Sequence, residues 1–222
     1  MAGKKTWGNV VPDPAQRHQL KRDVLIKKAA DAFRRQGFHT TSMADIAATL
    51  GVTKAALYRY ISSKEEILYI QHCHTMDLGE AALRHGKRHG KDGLEKTLLA
   101  LHHFLATYAD SSITGGALTD LEALQTDQRR EITRRRDHFE RTLRGFVTEG
   151  IADGSIRECD PRMTILTIMG SVNWLSRWYN PKGAWSAREV ADGMVEVFAA
   201  SLRAPQKAVA KPARKPTLKR KK

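Results

Sequence analysis

Apolar residues recur along this chain at intervals of three and four, and nearly every such run follows a residue that can open a helix. Asp13-Pro14 caps and opens a first segment running to about Gln36, with Leu25, Ala29, Ala32 and Phe33 inward, before Gly37 stops it. Ser42…Asp45 has capping-box spacing for a second helix, and Thr41 fits the cap equally well. Ser62…Glu65 and Ser63…Glu66 both fit the start of a long fourth helix, and Asp92…Glu95 starts a fifth. After the Gly/Thr-rich break Ile113–Gly116, a short helix is expected near Thr119–Leu124 and a long one from about Asp127 to Gly150. Asp160-Pro161 opens a helix reaching Trp178 or Tyr179, and Ser186…Glu189 opens the last, which ends near Leu202. Alternating β-branched runs and Asn-Gly hairpin turns are absent. The pattern predicts an all-α chain of about nine helices.

Two segments depart from a simple one-sided stripe. Along 161–179, Ile165, Ile168, Val172, Leu175 and Tyr179 form one stripe, and Leu166, Met169, Gly170 and Trp174 form a second. A helix apolar on two sides must be covered on two sides. The last helix adds Val190, Met194, Val197 and Phe198. A homodimer is expected from this pair, with a monomeric core as the competing reading.

The other segment is Met43–Ser62, MADIAATLGVTKAALYRYIS. Ala47, Gly51 and Leu57 have the spacing of a helix-turn-helix. A small residue is needed at 47 because two helices cross there. Glycine at 51 lets the first helix end in a left-handed conformation that a β-carbon would penalise. Leu57, with Ile46, Leu50 and Val52, is expected to fill the small core. Thr53 caps a short second helix, Lys54–Tyr60, which would enter a major groove.

At these residues the chain resembles the TetR family of transcriptional regulators. Thr40–Leu68, TTSMADIAATLGVTKAALYRYISSKEEIL, and the preceding Phe33…Gly37-Phe38 ending carry the likeness, over roughly residues 20–70. Ile61 departs from the family's usual aromatic, and Ala55-Ala56 from its common glycine or proline and small polar residue, so base preference does not transfer. The resemblance implies a helix-turn-helix three-helix module followed by a helical ligand-binding and dimerisation bundle. It also implies a sequence-specific regulator, a repressor released by a small molecule, on a palindromic double-stranded operator. The last two helices would pair with their copies in a four-helix bundle.

Within that frame Thr53, Lys54 and Ala55 are the candidates for base edges, Lys54 toward guanine O6/N7 and the Ala methyls toward thymine methyls. Tyr58 and Tyr60 match positions that bond phosphates in relatives, against core packing as the alternative. Arg59 faces either the groove or a phosphate. Thr41 or Ser42, and Lys64, would clamp phosphates on either side.

Charge sharpens the picture. The 222 residues carry a net +14, unevenly placed. Residues 1–60 hold 11 Lys/Arg against 4 Asp/Glu, residues 203–222 hold 9 against none, and the middle is nearly neutral. Basic ends around a neutral middle fit a partner made of phosphate. The Ala/Pro/Lys-rich tail is too poor in large apolar side chains to order itself. It is either a solvated tail or an electrostatic arm, and the second option motivates a rival reading as an architectural, nucleoid-type DNA binder. The expected organisation is an N-terminal extension (1–16), a DNA-binding domain (17–65), a ligand-binding and dimerisation domain (66–203) and a basic tail (204–222).

The effector is less legible. Trp174, Arg177, Trp178 and Tyr179 gather aromatics around one cation, and the segment is similar to one in family members controlling fatty-acid, steroid and aromatic-acid catabolism. An acyl-CoA or aromatic or lipid catabolite is the expected ligand class, with Arg177 meeting its anionic group. Catalysis finds no support: nucleophile elbow, P-loop and dinucleotide fingerprint are all missing. Adjacent residues of a helix point about 100° apart, so His72-Cys73-His74 cannot chelate one ion without help from elsewhere. His85 and His89 have the right spacing, but Gly86 and Gly90 predict a frayed end. Neither metal nor cofactor is expected. Two cysteines, Cys73 and Cys159, and an N-terminus without the apolar core of a signal peptide point to the cytoplasm, with no membrane partner.

Overall fold

The computed structural model describes residues 13–111 and 120–205, so the N-terminal extension up to residue 12, the Ile113–Gly116 break and the tail from 206 lie outside the described residues. Eight α-helices are present among them: α1 Pro14–Gln36, α2 Met43–Leu50, α3 Lys54–Tyr58, α4 Lys64–His89, α5 Gly93–Asp110, α6 Thr126–Asp153, α7 Pro161–Trp178 and α8 Ala187–Leu202. The short helix expected near Thr119–Leu124 is a single 3-10 turn, Leu121–Ala123. Capping chemistry sets the boundaries. Asp13 and Ser42 close capping boxes on Gln16 and Asp45, and Ser63, rather than Ser62, receives the Glu66 amide at the start of α4. Gly51 closes α2 at φ +65°, where a side chain would be strained.

Helix α3 is shorter than predicted. It ends at Tyr58 because Leu57 and Ile61 are both fully buried, and the chain turns between them to place each inward. Helix α4, by contrast, continues unfrayed through Gly86. A β-carbon there would collide with Lys96 and Ala100 of α5, so this glycine serves close helix packing and not an end.

Two apolar clusters organise the molecule. In one, Leu25, Ile26 and Phe33 of α1 meet Ile46 and Ala47 of α2, Leu57 of α3 and Ile67 and Leu68 of α4. In the other, Ala82 and Leu83 of α4 meet Leu101, Phe104 and Leu105 of α5, Leu143 of α6, Ile165 and Val172 of α7 and Phe198 of α8. Helix α4 contributes to both, so its N-terminal half and its C-terminal half belong to different cores. Val52, expected in the first core, is 43% exposed. It lines an open apolar groove with Leu20 and Val24 of α1 instead. No helix among the described residues is long and apolar enough to cross a membrane.

Candidate nucleic-acid interface and bundle cavities

An open groove of about 390 Å³ forms where the α1–α2 turn, α3 and the start of α4 converge. Its walls are His39–Met43, Lys54 and Tyr58, and Ser62–Glu65. The chain makes this shape because each helix is begun by its own cap: Ser42, Thr53 and Ser63. Thr53 spends its hydroxyl oxygen on the Ala56 amide, while Lys54 and Ala55 project into solvent. Tyr58 is 46% exposed, and the Lys54 ammonium lies 5.8 Å from its ring centre. Arg59 is exposed beside it.

Four predicted contacts sit differently from the others. Thr41 is 1% exposed and its hydroxyl donates to the Gly37 carbonyl at 2.7 Å, so it braces the turn and presents no hydroxyl to a phosphate. Ser42 is exposed, yet its hydroxyl donates to Asp45 Oδ2 at 2.7 Å. Those bonds hold the Asp45 carboxyl below its usual range, so a negative charge sits at the start of α2. Tyr60 turns toward α1 and stacks on His18, ring centres 4.6 Å apart. Lys64 Nζ donates to the carbonyls of Phe38, His39 and Thr41 at 3.1, 3.4 and 3.2 Å, and lies 4.5 Å from the Phe38 ring. Its charge therefore reinforces the α1–α2 turn from beneath. His39 and Thr40, not predicted, stand on the groove wall; their only sequence signal is exposure between the Gly37 stop and the Ser42 cap.

Two cavities lie in the bundle among the described residues. The first, about 340 Å³, lies between Asp31 and Arg34 of α1, Tyr108 to Ser111 at the end of α5, and Leu175, Ser176 and Tyr179 around the end of α7. Burial pushes the Tyr108 phenol up to about 12. The second, about 290 Å³, lies between α4, α5, α6 and α7 and includes Met76, Phe104, Phe139, Met169, Arg135 and Arg136.

The predicted ligand segment is split by this geometry. Tyr179 lines the first cavity. Trp174, Arg177 and Trp178 are exposed, Trp174 to 63%, because a helix that turns Leu175 and Val172 inward carries their neighbours outward. Trp174 and Trp178 share the outer face of α7 with Met163, Leu166 and Gly170, and Val197 of α8 is 67% exposed. Neither histidine motif gathers ligands: His72 is buried, His74 bonds to the Ser111 hydroxyl, and His85 packs between His89 and His103. Among the described residues no group of three or more His, Cys, Asp or Glu is placed to hold a metal ion.

Comparison with known proteins agrees with this architecture. The family model for bacterial regulatory proteins of the tetR family matches residues 25–69, and that for the tetracyclin repressor-like C-terminal domain matches residues 90–202. The second alone spans just over half of the chain, which therefore belongs to the TetR family of DNA-binding transcriptional regulators. The fatty acid metabolism regulator protein of Bacillus subtilis (strain 168) is 24% identical over 151 residues, covering 67% of this chain and 78% of that one. A TetR-family regulator from Bordetella parapertussis 12822 is 28% identical with a TM-score of 0.69, covering 80% and 93% of the two chains. AibR, crystallised with isovaleryl coenzyme A and operator DNA, is 27% identical with a TM-score of 0.67, covering 80% and 97%.

Proposed function

We propose that this regulator is a homodimeric repressor that binds a two-fold-symmetric operator and leaves it when a small molecule enters the helical bundle. The observation that carries the reading is α4. Its first residues, Ser63 to Glu65, wall the DNA groove, and Met76, Gly79 and Glu80 farther along the same helix wall a cavity. Sixteen residues of helix rise about 24 Å, and a small tilt at one end displaces the other. A ligand that favours one tilt shifts the population away from the spacing at which two recognition helices meet successive major grooves, about 34–36 Å apart. On this reading residues 17–65 form the DNA-binding domain, 66–203 the effector and dimer domain, and 204–222 a basic tail. Lys54 and Ala55 read bases, while Tyr58 and Arg59 meet phosphates.

Trp174 and Trp178 then belong to the dimer face, and Tyr179 is what remains of the predicted ligand segment in a cavity. An acyl-CoA effector is supported by the isovaleryl coenzyme A bound to AibR and by the fatty acid role of the Bacillus relative. The test is a footprint on the promoter regions flanking the gene. A protected site with two-fold symmetry is expected, and Lys54→Ala should weaken it by about 1–3 kcal/mol and change base preference at one position per half-site. Uniform protection of random duplex would instead establish the architectural reading.

A further inference from the structure

We infer that the cavity between α4, α5, α6 and α7 binds an amphipathic anion, with Arg136 receiving its charged head and the walls receiving a short apolar body. The position of Arg136 carries this. On α6 the buried stripe runs Ile132, Phe139, Leu143 and Phe146, none more than 8% exposed. Residue 136 falls on the same stripe, four after Ile132 and three before Phe139. An arginine therefore stands where the helix otherwise buries aliphatic and aromatic side chains.

No carboxylate of the cavity wall pairs with its guanidinium. Arg135 beside it is fully engaged, with Asp77 at 2.5 Å and Glu80 at 2.8 Å. Glu140, on the cavity wall one helical turn from Arg136, reaches Arg144 at 3.7 Å, keeps its buried Oε1 without a hydrogen bond and forms no ion pair with Arg136. Asp137 is exposed and acts on Arg136 only through space. Among the described residues the Arg136 side chain forms no ion pair or hydrogen bond. Loss of hydration holds its pKa below the usual arginine value, partly opposed by Asp137. A half-buried guanidinium without a partner costs free energy unless something supplies an anion. Carboxylate and phosphate are the groups its planar fork fits.

The rest of the wall specifies the body of the ligand. Met76, Phe104, Phe139, Leu166 and Met169 supply the apolar part of the wall. At about 290 Å³ the space is at the small end for ligand sites, so it admits a short chain or a ring and excludes a nucleotide. A free short-chain or aromatic carboxylate would place its own charge on Arg136. An acyl-CoA would insert its acyl group and bring one of its phosphates to the same guanidinium. Both sources present the same chemistry.

The inference rests on the reading of the bundle as an effector domain, and direct binding separates the two. Full-length protein is titrated calorimetrically with octanoate, phenylacetate, octanoyl-coenzyme A, isovaleryl-coenzyme A and, as an uncharged match, octan-1-ol. At least one anion is expected to bind, and octan-1-ol to bind at least about tenfold more weakly. Arg136→Met should lose tenfold or more for that anion, and Arg136→Lys should fall between. Without ligand, Arg136→Met should melt no lower than the parent, because an unpartnered half-buried cation is removed. Octanoate and octanoyl-coenzyme A together report whether a free acid or a thioester is preferred. No binding by any anion, equal binding by Arg136→Met, or a melting point lowered by several degrees in that variant each overturns the assignment. If the anion binds through Arg136 and the operator complex persists, the site stands and effector-driven release fails.

Discussion

Lys64 shows how one side chain can exchange an expected role for another. A lysine at the first turn of a helix that abuts a recognition helix reads as a phosphate clamp. In the folded chain its ammonium donates to three carbonyls of the tight α1–α2 turn. Lys64→Ala should therefore lower thermal stability as well as operator affinity, and loss of affinity for all sequences at unchanged stability would return it to phosphate contact alone. Glu66 is the second residue with a dual part. Burial raises its pKa, but hydrogen bonds from the Ser62 hydroxyl and amide and from Arg22 outweigh this and leave it below the ordinary 4.5. A carboxylate so depressed stabilises the fold above 4.5, and the contribution disappears as pH falls below that value through its folded pKa. Glu66→Gln should accordingly be less stable than the parent at neutral pH, with the two curves converging as acid is added. Parallel curves measured by urea unfolding from pH 3 to 7 would show that the Arg22–Glu66 bridge, 2.5 Å long, carries no net stability.

At the scale of helices, starts were legible and partners were not. Asp13, Ser42, Thr53, Asp92, Asp160 and Ser186 all cap the helices they announce, because capping is chemistry between residues three apart. What covers an apolar face is a long-range matter. The two stripes of α7 were visible, but only the fold shows Ile165, Ile168, Val172 and Leu175 in the monomer core and Leu166 and Trp174 outside it. For the same reason Trp174, Arg177, Trp178 and Tyr179 read as one aromatic cluster in sequence and point different ways in space. Arg136 had a signal, a charge in register with Ile132 and Phe139, hidden among the many arginines of α6. The outer face of α7 and α8 carries a prediction of its own. Gly170 and Gly193 have open space beside them, which allows a second pair of helices to approach closely. Replacing Trp174 and Val197 together with Glu should yield a monomer in analytical ultracentrifugation that retains helicity and loses the palindromic footprint. A dimer surviving that change would place the interface elsewhere.

Across the whole molecule the charges are arranged so that the ends are basic and the middle is nearly neutral. Two recognition helices confer specificity only if they are held at a fixed separation, which a dimer of rigid bundles provides. Non-specific affinity depends on a different quantity, the number of phosphates neutralised, and is indifferent to that geometry. The chain places 9 Lys/Arg and no acid in residues 203–222, following α8 and remote in sequence from the helix-turn-helix. If these cations act on DNA, each phosphate they neutralise adds about 0.9 to the slope of log K against log salt for duplex DNA. Deleting residues 206–222 should then flatten the slope by several units and weaken random duplex, while leaving the melting temperature and the pattern of base preference as they were. Both slopes have to be measured on the dimer over the same salt range, since a shift in oligomeric state would change the count of contacts. Equal slopes for the full chain and the shortened one would show that the tail neutralises no phosphate, and that the helix-turn-helix and its flanking cations supply the whole electrostatic attraction.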